Sequence, residues 1–182
     1  MILIFDFLIS IILLLSLIPL IIFIGLLILI VDGKPVFFVS QRIGKDFKSF
    51  NILKFRTMKN NLKKDEITFL GKFLRRTSLD ELPQLLNVLK GEMSIVGPRP
   101  LPKNVFNKIS EKKKIIRSSI KPGITGYSQI NYAGKKRSLN AKIKLDLIYI
   151  QNKSFNMYIC IIFLTPLILI KRYFFNKDGK TL

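Results

Sequence analysis

Histidine and tryptophan are absent from all 182 residues, and cysteine occurs once. Without histidine the chain lacks the commonest general base and the commonest metal ligand. Ser-His-Asp, Cys-His and histidine–zinc chemistry are therefore excluded. A single cysteine, Cys160, forbids an intrachain disulfide, and its apolar neighbours read as those of a small buried hydrophobe. Acidic residues are scarce: 11 Asp and Glu stand against 31 Lys and Arg, a formal charge of +20. Any catalysis must run on carboxylates, cations, hydroxyls and a hard metal ion.

Apolar residues are plentiful, and they are unevenly placed. They make up 49% of the chain, with a mean hydropathy of +0.33. The 25 positions from 7 to 31 carry no charged side chain and are bounded by Asp6 and Asp32. A helix of that length crosses a bilayer core of about 30 Å. No basic residues precede the run and no small-residue cleavage site follows it, so it is expected to be a retained membrane segment rather than a cleaved signal. Pro19 removes one helical hydrogen bond near its middle, and Ser16 is placed to cap a carbonyl freed there. A proline kink is compatible with a spanning helix, so physical reasoning alone leaves a span and a re-entrant hairpin both open. Every Lys and Arg lies after this run, the first being Lys34, which sets the following segment on the cytoplasmic side. Such charge attracts anionic membrane lipids. Phosphate backbones attract it too, but the chain has no zinc-finger, RRM or KH motif, and no nucleic-acid partner is expected.

The remainder reads as one domain. Aromatic and β-branched residues at 36–40 and 47–58, around Gly44-Lys45-Asp46, predict a β-hairpin. Residues 59–66 are a charged loop, in which Asp65-Glu66 reads as solvated surface. Residues 69–76 predict a short basic helix, and Leu82, Leu85, Leu86 and Leu89 one face of another, closed by Gly91. The prolines and glycine of 93–102 predict a stiff irregular loop, and 121–126 a turn. A basic helix is expected over 103–117 and an amphipathic one over 139–151. A second apolar segment, 155–170, contains Pro166; its apolar part is too short to span comfortably, so it is expected in the membrane interface or the core.

Two places carry chemistry. Asp80-Glu81 opens an apolar helix after Arg75-Arg76-Thr77-Ser78. Ser78 and Glu81 have the spacing of a capping box, but Pro83 opposes a regular first turn, so the helix can instead start later and leave the pair ahead of its positive end. Further on, the prolines of Gly97-Pro98-Arg99-Pro100 restrict where the Arg99 guanidinium can go, which suits a phosphate held in a defined pose.

These blocks, Ser78-Leu79-Asp80-Glu81-Leu82-Pro83-Gln84-Leu85, Asn87 through Pro100, and Pro122-Gly123-Ile124-Thr125-Gly126, resemble the bacterial sugar transferases. That family comprises the small monotopic phosphoglycosyl transferases that begin glycan assembly on polyprenyl phosphate. The likeness runs from Phe5-Asp6-Phe7 to Leu145-Asp146-Leu147-Ile148-Tyr149. It implies a mainly α fold with a small β-hairpin: a re-entrant membrane helix over 1–33, broken near Pro19, and a compact cytosolic catalytic domain over 34–182 ending in an interfacial helix. It implies Asp80 as nucleophile, Glu81 as the Mg²⁺ ligand, and Arg75, Arg99 and Lys54 around the nucleotide-sugar phosphates, with Pro98 among the substrate-binding positions. The substrates it implies are a UDP-sugar and undecaprenyl phosphate, at the cytoplasmic face of the bacterial inner membrane. An oligomer is compatible with all of this. The chain departs from the family where Ile2-Leu3 replace a Lys-Arg pair, Ile18-Pro19 a Ser-Pro pair, and Gln41-Arg42-Ile43-Gly44 an Asn-Arg-Pro-Gly loop.

The implied chemistry needs no histidine. An aspartate with an ordinary pKa of about 3.9 is ionised at neutral pH, the acceptor phosphate is itself an anion, and a phosphate leaves without an acid. What the reaction needs is relief of repulsion between anions. Two other readings fit the same residues: direct transfer in a ternary complex with Asp80 as metal ligand, and a non-enzymatic basic membrane adaptor.

Overall fold

The computed structural model describes residues 2–59, 66–132 and 138–175. The chain is mainly helical with little β structure. Its elements are α1 (Ile2–Val31), β1 (Phe37–Ile43), β2 (Ser49–Phe55), α2 (Phe69–Thr77), α3 (Leu85–Leu89), β3 (Ser94–Val96), α4 (Lys103–Phe106), α5 (Glu111–Ser118), β4 (Gly123–Thr125), α6 (Tyr127–Asn131), α7 (Leu139–Gln151) and α8 (Phe155–Phe175), with a 3₁₀ turn at Leu79–Gln84.

The apolar run is α1, helical at every residue through Pro19. The break implied near Pro19 is not present as an interruption of the helix. One missing N–H costs a single backbone bond, which the turns on either side outlast. Ser16 does not cap the carbonyl that Pro19 deprives of its donor; its hydroxyl donates to the Leu13 carbonyl at 3.1 Å.

Both ends of α1 are fastened to the rest of the chain. Near its start the buried Asp6 carboxylate accepts from Ser94 Oγ at 2.7 Å, the Ile95 amide at 2.8 Å and the Tyr158 hydroxyl at 2.8 Å. Near its end Ile24 and Ile28 pack with Phe55 and Leu74. Beyond it the Arg56 guanidinium donates to the carbonyls of Asp32 at 2.6 Å and Gly33 at 2.7 Å. The opposite faces of α1 leave large side chains such as Leu8, Ile12, Leu15 and Ile30 exposed.

The expected hairpin forms, β1 antiparallel to β2 with Lys54 opposite Phe38 and Arg42 opposite Phe50. The segments read as a stiff loop and a turn instead contribute β3 and β4, which pair in parallel, Ser94 with Gly123 and Val96 with Thr125. Three residues per strand show no period, so this pairing is set by long-range contact. The main core joins Ile52 of β2, Leu85 and Val88 of α3, Ile95 and Val96 of β3, Tyr149 of α7, and Tyr158 and Ile161 of α8.

Two helical expectations change. The basic stretch 103–117 divides into α4 and α5, because Phe106 and Ile109 turn inward to pack on Ile143. The second apolar segment forms a longer helix than expected, reaching Phe175, and Phe155–Phe174 is long and apolar enough to cross a membrane. It packs on the core through Tyr158 and Ile161 while Phe163, Leu167 and Phe174 stay exposed. The extra turn is held on α2, where Arg172 donates to the Arg75 and Arg76 carbonyls and the Tyr173 carbonyl accepts from Arg76 Nε at 3.2 Å. In the charged loop, Glu66 pairs with Lys59 on the surface at 3.0 Å, and Asp65 lies outside the described residues.

Candidate active site

The Asp80-Glu81 pair is held in the 3₁₀ turn between α2 and α3, not in a regular helical first turn. Pro83 contributes to this, since it has no N–H to donate and its ring crowds the carbonyl four residues earlier, which disfavours a regular turn in so short a segment. The capping box does not form. Ser78 is the C-cap of α2 with φ +60°, and its side chain makes no cap to the following turn. Its hydroxyl oxygen instead accepts from Arg172 of α8 at 2.6 Å. The Glu81 carboxylate, freed from capping, turns toward β2 and the Arg99 loop.

There Glu81 Oε1 accepts from Lys54 Nζ at 2.6 Å and from Arg99 Nη2 at 2.9 Å. Lys54 Nζ also lies 4.0 Å from Asp80 Oδ2. Asn87 of α3 fixes β2 against the turn: its Oδ1 accepts from the Leu53 amide at 3.1 Å, and its Nδ2 donates to the Asn51 carbonyl at 2.8 Å. Lys54 therefore cannot drift from the pair without breaking backbone contacts.

The Arg99 loop is held from behind. Arg117 Nη2 donates to the Arg99 carbonyl at 2.7 Å and is paired with Asp146 Oδ2 at 2.9 Å, both side chains buried. Gly97 lies so close to β4 that a Cβ there would stand 2.6 Å from the Lys121 carbonyl oxygen, so only glycine allows the loop to seat. Proline stiffening is thus one part of the restraint on Arg99, and tertiary contact supplies the rest.

The two carboxyls are driven apart in acidity. Burial pushes Asp80 up to about 6, assisted by the adjacent Glu81 charge and opposed by Lys54, Arg99 and Arg75. Burial also penalises Glu81, but the charges and hydrogen bonds of Arg99 and Lys54 outweigh it and hold Glu81 down to about 2. At neutral pH Glu81 is a fixed anion. Asp80 is mostly ionised, poorly solvated and correspondingly basic, a state suited to attack or to metal ligation.

A cavity of about 120 Å³ opens beside the pair, with Lys54, Glu81 and Arg99 in its walls. A sugar transferase profile describing bacterial members matches residues 1–172. The chain belongs to the bacterial sugar transferase family. It is 46% identical over 142 residues to EpsL, an uncharacterised sugar transferase of Bacillus subtilis, covering 73% of this chain and 69% of that one. It is 37% identical over 193 residues to the UDP-glucose:undecaprenyl-phosphate glucose-1-phosphate transferase of Klebsiella pneumoniae. It is 34% identical over 161 residues to the UDP-N-acetylgalactosamine-undecaprenyl-phosphate N-acetylgalactosaminephosphotransferase of Aeromonas hydrophila. These cover 96% and 81% of this chain but only 40% and 38% of the relatives, so the chain spans well under half of their length. Membership in a transferase family sets aside the passive adaptor.

Within this sugar transferase the expected site residues are distributed as follows. Asp80, Glu81, Lys54 and Arg99 come together. Arg75 acts on Asp80 through its charge while its Nε donates to Thr57 Oγ1 at 2.8 Å. Pro98 is outside the cavity's walls; it borders a smaller adjoining cavity, and its carbonyl accepts from the Gly123 amide at 3.0 Å. Asp80 is nearly buried, with 9% of its side chain exposed, and the cavity wall is formed by Glu81 beside it. The sequence reading assigned no role to Arg117, Asn87 or Arg172. An Arg–Asp pair 29 positions apart carries no local signal, and a buried asparagine in an apolar helix was the one visible hint.

The residues present fit a magnesium ion. Mg²⁺ is commonly held by one or two carboxylates together with substrate phosphates and water, and Asp80 and Glu81 are adjacent. Glu81 Oε1 already accepts from Lys54 and Arg99, which leaves Glu81 Oε2 as the oxygen that could hold it.

Proposed function

We propose that this sugar transferase moves a sugar 1-phosphate from a UDP-sugar to undecaprenyl phosphate, releasing UMP, through a phospho-sugar intermediate on Asp80. The supporting observation is a poorly solvated carboxylate of raised pKa beside Lys54, Arg75 and Arg99. The Klebsiella and Aeromonas relatives are named for this class of transfer with glucose and N-acetylgalactosamine donors.

In the first half-reaction an Asp80 oxygen bonds to the sugar-bearing phosphorus, and the bond from that phosphorus to the bridging oxygen breaks. UMP departs with the electron pair. In the second, an oxygen of undecaprenyl phosphate bonds to the same phosphorus and the Asp80 carboxylate is released. No proton moves in either step, which suits a chain without histidine. Lys54 and Arg99 face the phosphates, and Arg75 offsets the charge on Asp80. Mg²⁺, held at Glu81, would neutralise phosphate charge.

The membrane reading is a re-entrant α1 entering and leaving on the cytoplasmic face of the bacterial inner membrane. Its support is that Asp6 near the start and Ile24 and Ile28 near the end grip the same body. A re-entrant course returns both ends of the helix to one face, which these contacts near each end suit, and it would bend at Pro19 without interrupting the helix. Apolar side chains on α1 and α8 then face lipid, and the basic surface meets anionic headgroups.

Incubation with a panel of UDP-sugars and undecaprenyl phosphate is expected to yield UMP. Asp80→Asn is expected to abolish it, and intact-protein mass spectrometry without acceptor is expected to show a phospho-sugar adduct. UMP release by Asp80→Asn at the wild-type rate overturns the reading. The burial of Asp80 favours one alternative, direct transfer with Asp80 as a metal ligand. That alternative predicts UMP only when acceptor is present, and no adduct.

A further inference from the structure

Beyond the residues already placed, Arg42 of β1 and Gln84 of the 3₁₀ turn also line the 120 Å³ cavity. Neither is satisfied by the protein. Arg42 is half-buried and makes no ion pair or hydrogen bond among the described residues. Burial and the nearby Arg99 charge both disfavour its charged form. Gln84 is 1% exposed, and its Nε2 has no hydrogen-bond partner. Buried donors are normally paired, and an orphan amide costs about 1–3 kcal/mol. Two unsatisfied donor groups from different elements converging on one cavity call for an acceptor.

The charge balance says which kind. The walls carry three cations, Arg42, Lys54 and Arg99, against the single carboxylate of Glu81. Two positive charges are left over, the complement of a diphosphate diester or of a nucleoside monophosphate dianion. Ile52, Leu101 and Ile124 are among the apolar parts of the walls, and such low-dielectric surroundings strengthen a cation's hold on an anion. Position divides the work. Lys54, opposite Phe38, lies 4.0 Å from Asp80 Oδ2, whereas Arg42, opposite Phe50, stands four rungs farther along the hairpin. Arg42 therefore extends the cationic track away from the nucleophile.

We infer that Arg42 and Gln84 form an anion subsite for the phosphate that leaves with the nucleoside, with Arg99 bridging it to the phosphorus under attack. The existence of an anion site follows from the unpaired donors. Its assignment to the leaving phosphate rests on the transferase reading above. As the bond to the leaving oxygen breaks, charge grows on this phosphate, and a guanidinium and an amide already in the cavity wall need little reorganisation to meet it.

The full-length protein, purified in lipid nanodiscs, is titrated with inorganic pyrophosphate, UMP and uridine by calorimetry. Wild type is expected to bind pyrophosphate and UMP. Arg42→Ala should weaken both by about tenfold to a hundredfold, the loss typical of a charge-assisted contact, and leave uridine unchanged. Arg42→Lys should fall between, since it keeps charge and loses the fork. Gln84→Leu, close to isosteric, should weaken both several-fold. If Arg42→Ala does not fold, as judged by its melting transition, Arg42→Lys and Gln84→Leu carry the test. Pyrophosphate and UMP affinities unchanged in the folded variants overturn the subsite, as does a wild type that binds neither. The KM for the UDP-sugar separates the two claims. Arg42-dependent pyrophosphate binding without UMP release from any donor leaves the subsite standing and removes the transferase reading. Normal turnover with an unchanged KM in Arg42→Ala does the reverse.

Discussion

The guanidinium of Arg172, in the last turn of α8, donates to the hydroxyl of Ser78 at 2.6 Å across 94 positions of sequence. The same Nη2 reaches the carbonyls of Arg75 and Arg76, each at 3.0 Å. These are last-turn carbonyls of α2, that of Arg75 also accepting from the Ser78 amide at 3.4 Å, and a cation at a helix C-terminus complements its dipole. Ser78 holds φ +60°, a left-handed conformation that costs a non-glycine residue about 1 kcal/mol. Arg172 stabilises that turn, and the turn aims Asp80 two residues later.

Arg172→Ala is therefore expected to lower kcat about tenfold or more with little change in the KM for donor, because misplacement of a reacting group acts on the chemical step. Arg172→Lys should recover only part, since its ammonium sits on a shorter stem than the Nη2 that serves all three acceptors. An effect on melting temperature without one on kcat would assign Arg172 to stability alone.

The pH response follows from Asp80. An attacking carboxylate must be ionised, so kcat/KM should rise through about pH 6 and level off above it. Stability has the opposite sign. With a folded value of about 6 against the ordinary 3.8, the folded chain keeps a proton that the unfolded chain has lost. The stabilising contribution is whole below the ordinary value and is lost as pH rises through the folded one. Asp80→Asn removes that loss, so it should gain about 1 kcal/mol on wild type between about pH 5 and about pH 7.5 while losing activity. Glu81, lowered from 4.5 to about 2, loses its contribution only in stronger acid. Chemical denaturation at the two pH values reads this directly.

Arg117 and Asp146 test the support behind Arg99. Both are nearly buried, at 6% and 4% exposure. Removing one partner leaves the other charge unpaired, which typically costs about 3–5 kcal/mol. Arg117→Ala is expected to lose stability on that scale and, by freeing the Arg99 carbonyl, to raise the KM for donor. Asp146→Asn, which keeps an acceptor, should lose less. Unfolding transitions in detergent and steady-state kinetics measure the two effects separately.

Asp6 tests the seating of α1. Its carboxylate accepts from a hydroxyl, an amide and a phenol at once. Asn in its place presents a donor to groups that are themselves donors, so Asp6→Asn should cost about 2–3 kcal/mol. Tyr158→Phe, losing one bond of the set, should cost about 1 kcal/mol. The double variant should fall short of the sum because the two share a contact. Full additivity would show that the phenol and carboxylate do not couple.

From its residues alone the chain could be read as a long apolar helix, a β-hairpin and a carboxylate pair displaced from a regular helix by Pro83. Each depends on local chemistry. A charge-free run of 25 residues satisfies its backbone as helix even with Pro19 inside it, whereas Pro83 disfavours a regular first turn in a segment only a few residues long. The β3–β4 pairing, the full length of α8, the grip of Asp6 on Ser94 and Tyr158, the Arg117–Asp146 pair and the orphan donors of Arg42 and Gln84 were decided only in three dimensions. Each joins residues tens of positions apart, where no periodicity survives. Whether a charge is paired, buried or left facing a cavity is a property of its neighbours in space.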